Sequence, residues 1–339
     1  CTMKLSLVIP CRNERAFIKE CVNAIFACEL PSNCDMHVYV VDGMSDDGTR
    51  ETISELMKTN GRISLIDNPK QLTPFAFNLG IHAGGKVDFV QIVGARHILS
   101  PNYLSRCLEV LQQNTEIWCV GGKIKNVAVN KTGELISAVM SSAFGMGMGN
   151  FRTLEQSGYT DTVTSPMYPY EVFEKIGFFD EELIRNQDDD FNFRVAKAGG
   201  KLYFLHDISL KYYVRAKVSG LRKQFFQYGY WKVFVNRKHG TMTTIRQLFP
   251  PGFVLYLVLL PLLFLLPCIL QLIGAIPLSL YLLGLFLFTA KLVNWKDFLN
   301  TIWLFPLIHI SYGCGYLLGM IDFLLLKKNP SEKQKELSR

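Results

Sequence analysis

Short β-branched runs alternate with amphipathic stretches through the first hundred residues. Lys4–Pro10 (KLSLVIP) reads as a buried strand ended by a proline, residues 15–29 as a helix, and His37–Val41 as a second strand. Thr49–Lys58 reads as helical and Ile63–Ile66 as a strand. Pro74–His82 is helical after a Thr-Pro start, Val87–Val93 is another buried strand, and a helix runs over about 101–112. This alternation predicts an α/β protein with a parallel, doubly wound sheet. Such sheets bind ligands beyond the carboxyl ends of their strands. Cys11–Glu14, Asp42–Thr49, Asn68–Lys70 and Gly94–His97 therefore carry the candidate chemistry. After Gly121-Gly122 the pattern loosens, with a Gly/Met loop over Ala143–Phe151.

A second regime begins near Gly252. The run to Ala290 has no charged side chain over 39 residues. As one helix it would span roughly 58 Å, about twice the ~30 Å hydrocarbon core, so two helices joined near Gln271–Pro277 are expected. A third apolar run, Phe298–Leu326, contains His309, Gly313, Gly315 and Asp322. It reads as one long tilted span or a re-entrant hairpin.

Charge sharpens this division. The net charge is +7, yet residues 1–210 sum to −5, while 211–251 hold nine basic residues and no acid. The tail from Lys327 adds +3, and a basic balance that belongs to one short segment and the tail argues against a nucleic-acid-binding domain and fits a headgroup-facing amphipathic helix. Four regions follow: a body over 1–210, a basic interfacial segment over 211–251, a membrane region over 252–326 and a basic tail over 327–339. The basic segment places the body on the cytoplasmic side, and Lys327 with Lys328 places the tail there too, which favours the hairpin. No signal peptide is expected ahead of the first strand. Nine cysteines with no C-x-x-C pair exclude a zinc ribbon or a disulfide framework and read as buried free thiols.

Two acidic groups stand out. Asp42 directly follows a strand, where a carboxylate can accept a hydrogen bond from a base N–H; Asp46 and Asp47 in the same turn read equally well as helix caps. Asp188, Asp189 and Asp190 are adjacent carboxylates whose mutual repulsion makes the cluster costly unless it is used.

Together these stretches resemble the family-2 glycosyltransferases of the GT-A fold, in particular the membrane-anchored branch that builds bacterial exopolysaccharides. The matching residues are Leu5–Glu14 (LSLVIPCRNE), Val41–Arg50 (VDGMSDDGTR), Asn68-Pro69 with Thr73–Gly80, Asp161–Val163, Gly177–Asp180, Arg185–Arg194 (RNQDDDFNFR) and Gln227–Lys232. The resemblance implies a Rossmann-like nucleotide-sugar domain, interfacial helices and C-terminal transmembrane helices. It implies inverting transfer from a nucleotide sugar, a UDP-sugar by expectation, to a polyprenyl-diphosphate-linked or glycan acceptor at the bacterial inner membrane. Pro10, Arg12, Glu14, Asp42 and Asp46 would contact the nucleotide. Asp188 would be the general base, with Asp189 and Asp190 near diphosphate or acceptor and Arg194 a structural partner of the cluster. Gln227 and Trp231 match an element found beside diphosphate and acceptor in processive synthases, with Tyr230 where an Arg usually stands.

One stretch departs from the pattern. The family carries Asp-x-Asp after its fourth strand, where the second Asp binds Mg²⁺ or Mn²⁺; this chain has Gly94-Ala95-Arg96. The expectation is weak or absent dependence on a divalent metal, with Arg96 set against the diphosphate. His97 as a metal ligand, a catalytically impaired nucleotide-binding scaffold and a processive synthase are the alternatives.

Overall fold

The computed structural model describes residues 2–147, 152, 154–214, 217–265 and 267–329. These form two compact units, Cys1–Asn126 with Gly149–Tyr213 and Val127–Met148 with Val214–Arg339.

The first unit begins as the alternation predicts. In chain order come β1 (Met3–Cys11), α1 (Ile18–Phe26), β2 (Cys34–Asp42), α2 (Thr49–Thr59), β3 (Ile63–Asp67), α3 (Thr73–Gly84) and β4 (Phe89–Ile92). β1 pairs in parallel with β2 and β4, and β2 with β3. Both faces of β1 are covered, which explains its continuous apolar run. Leu5, Leu7 and Ile9 join the core that includes Ile18 and Cys21 of α1. Val8 joins the opposite core with Ala76, Phe77 and Ile81 of α3.

The rest of the sheet is not parallel. After β5 (His97–Leu99), α4 (Tyr103–Gln113) and β6 (Ile117–Val127), the chain passes through α5 (Lys131–Met140) and α6 (Ala143–Met146). It returns as β7 (Gly158–Thr160), β8 (Thr164–Pro169), α7 (Glu171–Ile176), α8 (Gln187–Lys197) and β9 (Lys201–Tyr213). The order is β3-β2-β1-β4-β8-β6-β9-β5, with β8 antiparallel to β4 and to β6, and β9 antiparallel to β5 and β7. A wholly parallel sheet needs a long crossover for every strand, and β7 and β8 are joined by only a short turn. The sheet is therefore mixed, with its parallel half at the N-terminal end of the chain. The described cysteines are free thiols.

The second unit takes residues from inside the 1–210 span. α5 is amphipathic: Leu135, Ile136, Val139 and Met140 pack with Leu221, Phe225, Leu285, Leu304, Phe305 and Ile308. Its polar side carries Lys131, paired with Asp297 at 2.7 Å. The remaining helices are α9 (Val218–His239), α10 (Phe249–Leu259), α11 (Cys268–Leu292), α12 (Trp295–Ile302) and α13 (Leu304–Gly319). Among the described residues three stretches are long and apolar enough to cross a membrane: Ile245–Leu263, Cys268–Leu292 and Trp295–Leu325. The break between the first two falls before Cys268, not at Gln271–Pro277. Pro277 lies inside α11, where the Tyr256 hydroxyl donates to the Gly274 carbonyl at 2.8 Å.

The third run is one helical stretch rather than a hairpin, and its interruptions are packing devices. A Cβ on Gly315 would stand 2.0 Å from the Phe226 carbonyl oxygen of α9, so only glycine allows this approach. His309 donates from Nε2 to the Phe144 carbonyl at 3.0 Å and accepts the Tyr281 hydroxyl on Nδ1 at 2.9 Å. Asp322 accepts the Tyr230 hydroxyl at 3.0 Å. Most of the basic tail, residues 330–339, lies outside the described residues.

Candidate active site

Two loops at the carboxyl ends of β1 and β2 are stitched together. The Asn13 N–H donates to Ser45 Oγ at 2.8 Å, the Asp46 N–H to Asn13 Oδ1 at 3.1 Å and the Glu14 N–H to Thr49 Oγ1 at 2.9 Å. Asn13 adopts φ 54°, the left-handed region that asparagine tolerates. Asp42 is fully buried at the centre of this cradle. Its carboxylate accepts from the Ser45 N–H, the Ser45 hydroxyl and Arg50 Nη1. Arg50 also holds Asp67 at 2.8 Å, tying the end of β3 to that of β2. Arg50 was not among the residues expected to matter, because its second partner arrives from a separate strand.

The two candidate caps now separate. Asp47 accepts from the Thr49 hydroxyl, the Thr49 N–H and the Arg15 N–H. Burial pushes its carboxyl up, but those hydrogen bonds outweigh burial and hold it below the usual carboxylate range. Asp47 accepts the first N–H of α2 from just outside the Gly48 N-cap, while the Asp46 side chain is exposed. Pro10 and Arg12 are half-buried beside the cradle. Glu14 is 8% exposed and turns to Arg96, with Arg96 Nε 2.7 Å from Glu14 Oε2. This pair sets Glu14 between the Asp42 cradle and the loop after β4.

Gly94–His97 follows β4. The His97 ring lies over Gly94, where an added Cβ would meet ring atoms at 3.0–3.2 Å. His97 Nδ1 accepts from Ser165 Oγ at 2.7 Å and from the Gly94 N–H at 3.3 Å. Burial and, after it, the charge of Arg152 push this imidazole down to about 4, so the ring is neutral at physiological pH. Among the described residues no three His, Cys, Asp or Glu side chains converge as metal ligands. A guanidinium, a glycine and a histidine committed through Nδ1 do not fit the oxygen donor set a hard divalent cation prefers.

The acidic helix start shows a division of labour. Asp190 is 2% exposed and bound by Arg194 through Nε and Nη2, both at 2.9 Å. On a helix, position i+4 brings Arg194 over Asp190, so this carboxylate ties the helix start to its next turn. Asp189 accepts from Asn186 Nδ2 at 3.0 Å. Asp188, in the first turn of α8, is exposed.

The cradle and the strands from β1 to β8 have a counterpart in sequence: the family model described as glycosyl transferase family 2 matches residues 6–177, ending before the acidic helix. The chain belongs to glycosyl transferase family 2. The enzyme is similar to dolichyl N-acetyl-alpha-D-glucosaminyl phosphate 3-beta-D-2,3-diacetamido-2,3-dideoxy-beta-D-glucuronosyltransferase of Methanococcus voltae, 31% identical over 75% of this chain and 79% of that one. It is 28% identical to the succinoglycan biosynthesis protein ExoA of Rhizobium meliloti over 72% of this chain and 73% of that one. In three dimensions this glycosyltransferase resembles a mannosyltransferase from Pyrobaculum calidifontis solved with GDP-Man and Mn²⁺. The TM-score is 0.61 at 14% identity, over 92% and 86% of the two chains, a likeness of GT-A fold.

Gln227 and Trp231 of this family 2 enzyme lie on α9 in the second unit, 4% and 1% exposed. Trp231 packs edge-on against Tyr230 and Phe234. Both side chains are enclosed within the helices of the second unit. The glycine face of α13 draws α9 close, and its aromatic ridge is used for packing.

Proposed function

We propose that this glycosyltransferase moves a sugar, with inversion, from a nucleotide-sugar donor to a lipid-linked or glycan acceptor at a membrane. Asp188 acts as the general base. An inverting transfer needs one base opposite the departing nucleotide and forms no covalent intermediate. The observation that carries the reading is the contrast within the acidic helix: Asp190 is locked to Arg194, whereas Asp188 is exposed at the helix start. The Asp42 turn, Asp46 and Arg12 frame the nucleotide, with Asp42 acting through Ser45 and Arg50.

A polyprenyl-linked acceptor and a UDP-sugar donor complete the reading. A lipid-linked acceptor is supported by three candidate spans and by the Methanococcus relative, whose name specifies a dolichyl phosphate-linked sugar acceptor. The nine basic residues over 211–251 favour a cytoplasmic catalytic domain, at the inner membrane in a bacterium. The test is nucleotide release by the full chain in membranes, screened across nucleotide sugars with membrane lipid extract as acceptor source. Release that requires both a donor and the extract, and that Asp188→Asn abolishes, supports the reading. Release independent of extract would turn it toward simple donor hydrolysis.

A further inference from the structure

We propose that Arg96 anchors the donor diphosphate where the family uses a metal-binding aspartate, and that Glu14 and Phe17 are the residues that aim it. The proposal rests on the nucleotide-sugar reading above and names the group that meets the leaving phosphates.

The Arg96 guanidinium is held along one edge only. Nε donates to Glu14 Oε2 at 2.7 Å, and the plane lies over the Phe17 ring at 4.7 Å. Its two terminal NH₂ groups make no hydrogen bond among the described residues, and the side chain is 27% exposed. A guanidinium fixed through Nε and backed by an aromatic ring presents its other edge as a rigid fork, which matches two phosphate oxygens.

The support behind the fork is continuous. Phe17 packs against Tyr213 with ring centroids 5.0 Å apart, and the Tyr213 hydroxyl donates to the Glu20 carboxylate at 3.1–3.2 Å. The Tyr213 N–H donates to the Arg96 carbonyl at 3.4 Å, so backbone and side chain of Arg96 are both held. On the other side, Glu14 is fastened to the nucleotide cradle through its own N–H and Thr49 Oγ1. The fork is thereby indexed to the Asp42 turn. Such preorganisation supplies charge stabilisation as the leaving diphosphate forms, without reorganisation at that moment.

Position 94 is crowded as well. An aspartate there would put its Cβ within 3.0–3.2 Å of the His97 ring, and that ring is pinned by Ser165. Both aspartates of the usual motif are thus replaced by a built arrangement, not by one chance substitution.

The experiment is calorimetric binding of UDP and GDP, against uridine and guanosine, to the full chain in detergent, with EDTA or with added Mn²⁺. Wild type should bind its preferred diphosphate equally in both conditions. Arg96→Ala should weaken the diphosphate about 10- to 100-fold while leaving the nucleoside within threefold, as expected for loss of a charge-assisted contact. Arg96→Lys, which keeps the charge and the Glu14 pair, should fall between. Glu14→Gln should lose diphosphate affinity selectively while its thermal midpoint stays within a few degrees; a merely structural Glu14 would weaken both ligands together. Diphosphate binding that vanishes with EDTA and returns with Mn²⁺, or an Arg96→Lys protein with unchanged affinity beside an equally unaffected Arg96→Ala, would overturn the proposal and leave the transferase reading standing. Failure of wild type to bind either diphosphate in any condition would overturn both.

Discussion

Arg194 reaches back one turn of α8 and clasps the carboxylate of Asp190, leaving that side chain 3% exposed. The same guanidinium donates to the carbonyls of Ile176 and Phe178, so one residue fastens α8 to the segment after α7. Breaking such a buried pair strands a charge and costs about 3–5 kcal/mol. Asp190→Asn should therefore lower the thermal midpoint clearly. Asp188→Asn, on the exposed neighbour, should keep the midpoint and lose about 10²–10⁴ in turnover, as removal of a general base does. Melting curves and initial rates of the two variants separate the roles; turnover of Asp188→Asn within tenfold of wild type would remove it as the base.

Asp42 is expected to act through the turn it organises. Asp42→Ala leaves the Ser45 N–H and Arg50 without their acceptor, so stability and nucleoside diphosphate affinity should fall together, the former by about 1–3 kcal/mol. Arg50→Ala should reproduce much of both effects. Asp46→Ala, at an exposed side chain, should alter affinity and spare the midpoint. Calorimetry with the bare nucleotide and a melting curve for each protein decide this; a stable Asp42→Ala would show that the turn does not depend on it.

His97 makes the catalytic unit acid-sensitive. The folded ring takes up its proton only near pH 4, whereas the unfolded chain does so near 6.5. Stability from the neutral ring is therefore complete above about 6.5 and is lost as pH falls toward 4. The full loss is on the order of 2–3 kcal/mol, reduced by the ring's partial exposure. Thermal midpoints measured from pH 7.5 to 5 should fall for wild type. They should fall less steeply for His97→Gln, although that protein starts lower because the Ser165 contact is disturbed. Parallel curves would assign the acid sensitivity elsewhere.

Burial explains what the sequence made legible. β1 and β4 are covered on both faces, and their apolar runs announce a parallel core. β9 breaks its alternation in the middle, with Phe204 and Leu205 both buried and His206 and Asp207 both exposed, a pattern that escapes notice without its neighbours. In the site, Asp42 and Asp188 stood out as residue types, but their surroundings did not. That Asp47 rather than Asp46 takes the first N–H of α2 depends on where Arg15 and Thr49 present their donors. The Asp190–Arg194 pair was readable from i, i+4 spacing alone. The Arg96–Glu14 pair was not, because 82 residues separate its members.

Helix packing in the second unit predicts that size, not polarity, is critical at position 315. Gly315→Leu should separate α9 from α13 and destabilise the protein in detergent far more than Leu317→Ala, whose side chain is only partly buried. A chain ended at Arg246 should bind anionic vesicles partly through charge, at about 1 kcal/mol per basic residue near the surface. It should also keep a salt-resistant component, because Leu135, Ile136, Val139, Met140, Leu221 and Phe225 lose their cover. Flotation at low and high salt measures the two; complete release by salt would mean that these side chains find other cover.

The placement of α5 and α6 sets a timetable for biosynthesis. Phe144 must wait for His309, 165 residues later in the chain. At about 5–20 residues per second, translation needs roughly 10–30 s to cover that distance. For most of that interval the apolar face of α5 is already made while α11 and α13 are not. The nascent chain must shelter that face, at the bilayer surface or on a chaperone, until its late partners emerge. Only then can the second unit close, and with it the stretch of chain that interrupts the catalytic domain.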